Sequence, residues 1–176
     1  MMRIFGLAAW SGSGKTTLMV KLVPELVGRG LKVSTVKHAH HEFDLDQPGK
    51  DSWRHRQAGA TEVMVASAAR WALLHELRGE AEPGLDALVA HMSPVDLLLV
   101  EGFKRDPHPK LEIVRPSLGK SLLCQGDPMI RALCAVEPLP DAMRSALTLP
   151  IYDAEDIAGI ADFVVANAAP LVGKAP

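Results

Sequence analysis

The residues with the clearest chemical potential form a glycine-rich stretch near the start of the chain, Ala9-Trp10-Ser11-Gly12-Ser13-Gly14-Lys15-Thr16-Thr17. The spacing is that of a phosphate-binding loop, with Ala9 in place of the first glycine. Glycines let successive backbone N–H groups point into one concavity that holds an anion, and the helix behind the loop adds the positive end of its dipole. We therefore predict that a nucleotide binds Ser11, Gly12, Ser13, Gly14, Lys15, Thr16 and Thr17. Lys15 would reach the β- and γ-phosphates, and the Thr16 hydroxyl would bind Mg²⁺.

A second signal is an acid at the end of an apolar run, Leu97-Leu98-Leu99-Val100-Glu101-Gly102. Four apolar residues in a row are typical of a strand that is buried on both faces. An acid at the carboxyl end of such a strand is the second half of many phosphate-loop sites, where it holds Mg²⁺. We predict this role for Glu101, beside the alternative of an ordinary charged residue at a strand end.

A polar segment follows the second predicted strand and contains Lys37, His38, His40, His41, Asp44 and Asp46. Ligands of open α/β sheets bind at the carboxyl ends of the strands, so we expect this segment beside the phosphates. Asp46 would then orient the attacking water or bind a metal-bound water, and Lys37 would approach phosphate oxygens. Two alternatives stay open: a solvated loop, or a transition-metal site formed by the three histidines with the two aspartates.

The elements that must position these residues follow from the pattern of apolar residues. A strand over 4–9, a helix over 17–27 and a strand over 31–36 predict the first unit of a parallel sheet. A hairpin is predicted over 61–77, with further strands over 111–114, 120–125, 131–136 and 148–152, and a last helix with Asp153 as its N-cap. We thus predict a single α/β domain over 1–176 of the P-loop NTPase class, with β insertions near 61–77 and 111–125.

Composition narrows the classes of function. The chain has 176 residues, is 48% hydrophobic and carries a net charge of -2, with a pI near 6.4. This balance favours no nucleic-acid partner, and no apolar run approaches the roughly 20 residues that span a membrane. Two cysteines are too few for a disulfide framework. We expect a cytoplasmic protein without a secretion signal.

Taken together, the motifs resemble the MobB family, the molybdopterin-guanine dinucleotide biosynthesis adapter proteins. The resemblance is carried by the phosphate loop, Lys37-His38-Ala39-His40-His41, Asp44 to Ser52, Ala58-Gly59-Ala60, Leu99 to Lys104 and Ala161 to Val165. It implies a GTP-binding protein with weak GTPase activity that assists the MobA-type guanylyltransferase in joining GMP to molybdopterin. It also implies a homodimer that shares or exchanges strands, for which the candidates are 61–77 and 111–114, and molybdopterin or its carrier as a further partner.

The residues alone leave the base and the reaction open. Many guanine-specific relatives of the superclass carry an Asn/Thr-Lys-x-Asp signature after a late strand, where this chain has Val136-Glu137-Pro138-Leu139-Pro140-Asp141. Guanine preference is therefore implied only by the resemblance. No arginine finger or glutamine stands out, which predicts slow hydrolysis. The alternatives are a metal-delivering GTPase that uses the histidines, an ATP-dependent small-molecule kinase or ligase, and an interaction module with an idle nucleotide site.

Overall fold

The computed structural model of the protein describes residues 1–39 and 43–171. The chain divides into two compact units, the first formed by residues 1–38 and 89 onwards and the second by residues 39–88. The first unit contains most of the elements: β1 (Arg3–Ala8), α1 (Lys15–Gly28), β2 (Val33–Lys37), β5 (Leu97–Glu101), β6 (Lys110–Val114), β7 (Ile130–Ala135), α4 (Asp141–Ser145), β8 (Ile151–Asp153), α5 (Ile157–Asn167) and β9 (Ala169–Pro170). The second contains α2 (Asp51–Gln57), β3 (Glu62–Ala66) and β4 (Trp71–His75), and α3 (Leu85–Val89) spans the boundary.

The described strands of the first unit form one seven-stranded sheet in the order β2-β5-β1-β6-β7-β8, with β9 antiparallel against β1. All other pairings are parallel. Because parallel strands end at the same edge of a sheet, the chain leaves β1, β2, β5, β6, β7 and β8 at a common edge. The mainly parallel sheet predicted from the sequence is confirmed.

The larger core lies between this sheet and the helices α1 and α5. Leu22 and Leu26 of α1, Ile160 and Val164 of α5, and Phe5 of β1 are fully buried in it. The Phe5 and Phe163 rings meet edge to face, with centroids 6.1 Å apart, an arrangement that aromatic pairs prefer. A smaller apolar cluster packs Leu133 against Leu139 and Met143. This packing holds α1 against the sheet, and it thereby fixes the end of the phosphate loop that leads into α1.

The second unit is built on an antiparallel hairpin of β3 and β4, which forms its own two-stranded sheet. The predicted hairpin over 61–77 is present, but it does not extend the main sheet. The prediction that residues 1–176 form one domain stays a prediction. None of the described helices is long and apolar enough to cross a membrane.

Three sequence predictions need correction. The strand at 111–114 is not an insertion, because β6 pairs with both β1 and β7 in the middle of the sheet. Residues 120–125 contain a 3-10 turn at Leu123–Gln125 in place of the predicted strand. The N-cap of α5 is Asp156, whose side chain accepts a hydrogen bond from the Gly159 N–H at 3.0 Å; Asp153 is the last residue of β8. Apolar runs do not by themselves mark where an element begins.

Polar groups are buried around β6. The Lys110 ammonium donates to the Asp106 carbonyl at 2.7 Å and to Asp127 Oδ2 at 3.0 Å, and the Glu112 carboxylate accepts two backbone N–H groups. His108 is 4% exposed, and no described residue bonds to its Nε2. Burial lowers the pKa of His108 to about 4; the nearby Lys110 charge acts in the same direction, and Asp127 opposes it. His108 is therefore neutral in the folded protein over the neutral pH range.

We expect His108 to make the protein less stable in acid. Its folded pKa of about 4 lies below the value of 6.5 for a free side chain, so the unfolded chain binds more protons between these values. The contribution of the neutral His108 ring to the free energy of unfolding is complete above pH 6.5, and it is lost as the pH falls towards 4. Urea unfolding across this range should show less acid destabilisation for His108→Gln than for the wild type. The exposed His91 provides the control, and an equal effect of His91→Gln would contradict the assignment.

Candidate nucleotide-binding site

The phosphate loop connects the end of β1 to the start of α1. Gly14 is the N-cap of α1 with φ of 100°, and Gly12 has φ of 80°. Residues other than glycine rarely adopt this backbone region. Ser13 is buried, and its N–H donates to the Trp10 carbonyl at 3.3 Å. The first helical hydrogen bond runs from the Leu18 N–H to the Gly14 carbonyl, so the amides of the first turn have no helical acceptor. This geometry can hold an anion with main-chain donors.

Lys15 lies at the centre of a charged group. Its ammonium donates to the Ala9 and Trp10 carbonyls, at 3.3 Å each, along the loop. Burial lowers the pKa of Lys15; the Glu101 carboxylate raises it, and the Lys104 and Lys37 charges lower it again. The fold thus brings Glu101, Lys37 and Lys104 close enough for their charges to act on Lys15, and the roles of these residues at a nucleotide stay predictions.

Glu101 takes its position from the register of three parallel strands. It lies opposite Leu7 of β1 and Lys37 of β2, at the carboxyl end of β5. It is 9% exposed in a strand that is otherwise fully buried. Since β1 leads directly into the phosphate loop, this pairing places an acid beside the loop. The assignment of Glu101 and Thr16 as metal ligands stays a prediction.

The turn after Glu101 is tied to the turn after β2. The His38 N–H donates to the Glu101 carbonyl at 2.8 Å, and the His38 and Phe103 rings stack with centroids 4.8 Å apart. Gly102 lies between them with φ of 97°, and a Cβ added there would lie 2.6 Å from the His38 Cβ. In the structure, His38 therefore supports the backbone that carries Glu101.

Asp46 and Asp44 belong to the second unit, where both contact Arg56. Arg56 Nε donates to Asp46 at 2.9 Å, Arg56 Nη2 donates to Asp44 at 2.8 Å, and the Ser52 hydroxyl donates to Asp46 at 2.7 Å. Arg56 also donates to Glu76. These contacts satisfy both aspartates within residues 39–88, and a role for Asp46 at the γ-phosphate stays a prediction.

The metal alternative is not tested in full. The described residues contain no group of three His, Cys, Asp or Glu side chains that could hold a metal ion. His40 and His41, however, lie outside the described residues. The transition-metal site therefore stays a hypothesis.

Sequence reasoning missed the segment from Arg115 to Ser121, which borders the phosphate loop. The Trp10 indole donates to the Ser121 carbonyl at 2.7 Å. A Cβ added at Gly12 would lie 4.0 Å from Leu118, and one at Gly14 would lie 3.8 Å from Arg115 Nη2. Arg115 directly follows β6, so the rule that ligands bind at strand ends could have identified it. On Trp10 itself, the Lys104 ammonium lies 5.0 Å from the ring centroid, within the range of a cation–π contact.

Comparison with known proteins adds the family. The family model described as "Molybdopterin guanine dinucleotide synthesis protein B" matches residues 4–136. The chain belongs to the MobB family. The resemblance inferred from the motifs is confirmed.

Two curated relatives match almost the full MobB chain. The molybdopterin-guanine dinucleotide biosynthesis adapter protein of Escherichia coli K12 is 42% identical over 94% of this chain and 93% of its own length. The protein of that name from Haemophilus influenzae is 38% identical over 92% of this chain and 86% of its own length.

Solved structures are also similar to this chain. The crystal structure of Bacillus subtilis MobB has a TM-score of 0.71 at 24% identity, covering 96% of this chain and 99% of that chain. The MobB homologue of Bacillus stearothermophilus has a TM-score of 0.66 at 29% identity, covering 93% and 95%.

Gly102 offers a test of how the acid is positioned. We expect Gly102→Ala to destabilise the protein by about 1–3 kcal/mol, because alanine is strained at this φ and its Cβ would clash with His38. Glu101 would be displaced, so Mg²⁺-dependent nucleotide binding should weaken as well. Urea unfolding and nucleotide titration measure the two effects.

Gly119→Ala is the matched control, because Gly119 has φ of 60° and its Cβ would meet no described atom within 4 Å. If both variants lose the same stability and bind nucleotide equally well, the close approach to His38 does not position Glu101.

Proposed function

We propose that this MobB-family chain is a GTP-binding adapter that assists a guanylyltransferase in joining GMP to molybdopterin. The observation that supports it best is the phosphate loop of β1 and α1 with Lys15 held near the buried Glu101. The curated relatives with 42% and 38% identity are named adapter proteins of molybdopterin-guanine dinucleotide biosynthesis. We place the protein in the cytoplasm, where it would act on the enzyme and on molybdopterin or its carrier.

The loop would hold the triphosphate through charge and main-chain donors. The amides of Gly12 to Thr17 would surround the β-phosphate, and Lys15 would leave the Ala9 and Trp10 carbonyls to bind the β- and γ-phosphate oxygens. The same groups would stabilise charge that develops when water attacks the γ-phosphate in line. We expect slow hydrolysis, because no arginine finger or glutamine stands out in the sequence. The proposed adapter would act while GTP is bound, so rapid hydrolysis is not required.

The oxygen donors near the loop suit Mg²⁺. The ion usually takes one or two protein oxygens and fills its other positions with phosphates and water. Glu101, buried beside Lys15, and the hydroxyl of Thr16 in the first turn of α1 are the residues that would hold it. When bound, it would neutralise charge on the β- and γ-phosphates.

A homodimer through the hairpin is also part of the proposal. Met64, Leu73 and Trp71 share one face of β3–β4, since Met64 pairs with Leu73 and Ala66 pairs with Trp71. They are 63%, 36% and 63% exposed. A contiguous apolar face of this kind marks an interaction surface in soluble proteins, and a second copy of the hairpin would present a matching face.

Substitution of Lys15 tests the nucleotide site. We expect Lys15→Ala to weaken GTP binding by roughly 10- to 100-fold, because a charged hydrogen bond to phosphate is lost. Isothermal titration with Mg²⁺ and GTP measures the loss. Lys21→Ala is the control, since Lys21 lies on the same helix but pairs with Glu155.

The adapter role is tested by adding the protein to a purified guanylyltransferase with GTP and molybdopterin. The wild type should increase dinucleotide formation, and Lys15→Ala should not. If Lys15→Ala stimulates as well as the wild type, nucleotide binding is not part of the role. If the wild type gives no stimulation, the adapter proposal itself is wrong.

Sedimentation of a hairpin variant tests the dimer. We expect Trp71→Lys to shift the protein towards the monomer, because a charge would enter the apolar interface. Val65→Lys is the control, because Val65 lies on the opposite face of β3 and is 45% exposed. Unchanged sedimentation of Trp71→Lys at micromolar concentration would place the interface elsewhere.

A further inference from the structure

The two sides of the phosphate loop differ in chemistry. On the side of β2 and β5, Lys15 meets Glu101, Lys37 and Lys104, the groups suited to a terminal phosphate and its metal. On the side of β6 and β7, a Cβ at Gly14 would lie 3.6 Å from Val136 and 3.8 Å from Arg115 Nη2. A nucleotide with its γ-phosphate on the first side extends its nucleoside towards the second. The residues that follow β6 and β7 would then lie beside the base.

An arginine and a glutamate meet at that place. Arg115 follows β6 and Glu137 follows Val136 at the end of β7. Arg115 Nη1 donates to Glu137 Oε1 over a long 3.3 Å, and the two side chains are 37% and 33% exposed. The Ser117 N–H donates to Glu137 Oε2 at 3.2 Å and its hydroxyl donates to Oε1 at 3.0 Å. The pair is thus held in place while part of it stays open to solvent.

Both members keep capacity for a ligand. Arg115 Nε is buried and bonds to no acceptor among the described residues. Glu137 Oε2 accepts one hydrogen bond from the described chain, although a carboxylate oxygen has room for two. A buried donor without a partner costs free energy. Nε itself is closed to solvent, so a ligand would bind the exposed part of the Arg115 side chain, which is 37% exposed.

The neighbouring acids at this edge already have structural partners. Glu155 forms a two-oxygen contact with Lys21, and Asp156 caps α5. Asp153 Oδ1 accepts the Glu155 N–H at 2.8 Å. Among the acids that follow β7 and β8, Glu137 is the one paired with a cation beside Gly14.

We propose that Glu137 and Arg115 select guanine as the base of the bound nucleotide, an inference that rests on the proposed nucleotide site. Guanine presents two adjacent donors, N1–H and the 2-amino group. One would use the open acceptor site on Glu137 Oε2, and the other would replace the long 3.3 Å contact from Arg115 Nη1 at Oε1. The guanidinium would then donate to the O6 acceptor of the base. Adenine presents an acceptor at N1 and a donor at its 6-amino group. The N1 lone pair of adenine would therefore face a lone pair of the Glu137 carboxylate. The pair therefore does the work of the absent Asn/Thr-Lys-x-Asp signature.

Nucleotide analogues test the assignment on the full-length protein. We expect the wild type with Mg²⁺ to bind GTP roughly 10- to 100-fold more tightly than ATP or ITP, since adenine mismatches the carboxylate and inosine lacks the 2-amino group. Glu137→Gln should weaken GTP binding by a similar factor and strengthen XTP binding. Xanthine carries a carbonyl where guanine has the amino group, and the glutamine amide can donate to that carbonyl. Asp153→Asn and Glu155→Gln are matched controls that should keep the GTP preference.

The outcomes separate the failure of this inference from failure of the nucleotide site. If the wild type binds no nucleotide, or Lys15→Ala changes nothing, the nucleotide site itself is wrong. If GTP binds but Glu137→Gln leaves the GTP-to-XTP ratio unchanged, the assignment to Glu137 is overturned. It is overturned equally if Glu137→Gln weakens GTP and ATP alike, which indicates a phosphate role, or if Asp153→Asn moves the ratio instead. Thermal unfolding verifies that each variant is folded, and Arg115→Lys should reduce the GTP preference without loss of ATP binding.

Discussion

The parallel pairing of β1 with β5 is the constraint on which the rest of the site depends. The register sets Leu7 opposite Glu101, so the acid lies beside the point where β1 turns into the phosphate loop. A shift by one residue would exchange the two faces of the strand and send Glu101 to the other side of the sheet. Leu97 and Leu99 lie on the same face of β5 as Glu101, in the core that α1 and α5 cover. The position of the acid is thus a consequence of strand pairing in the buried sheet.

The pairing also explains the charges around Lys15. An ammonium among two other ammonium groups is unfavourable, and burial adds to the cost. Glu101 offsets part of it, and a triphosphate would offset far more, since it brings several negative charges to the same place. A site of this kind favours highly charged phosphate chains over neutral ligands of similar shape.

Much of the fold followed from local patterns in the sequence. The strand before the loop, the helix behind it and the acid that ends β5 were each identified by residue type and period. Other features depended on contacts between residues far apart in the chain. Arg115 and Glu137 are 22 residues apart and meet only because β6 and β7 are neighbours. The central position of β6 and the separate sheet of β3 and β4 also depend on pairing partners, which a single strand does not reveal.

The strip from Arg115 to Ser121 has a consequence for how the chain can vary. It approaches the phosphate loop at three points: Arg115 lies near Gly14, Leu118 lies near Gly12, and the Ser121 carbonyl accepts from Trp10. The two segments therefore run side by side in opposite directions with their ends matched. An inserted or deleted residue in either segment would shift the following residues away from their partners in the other segment. Loops usually tolerate changes of length, but the matched approach of these two segments favours a fixed number of residues between Val114 and Ser121.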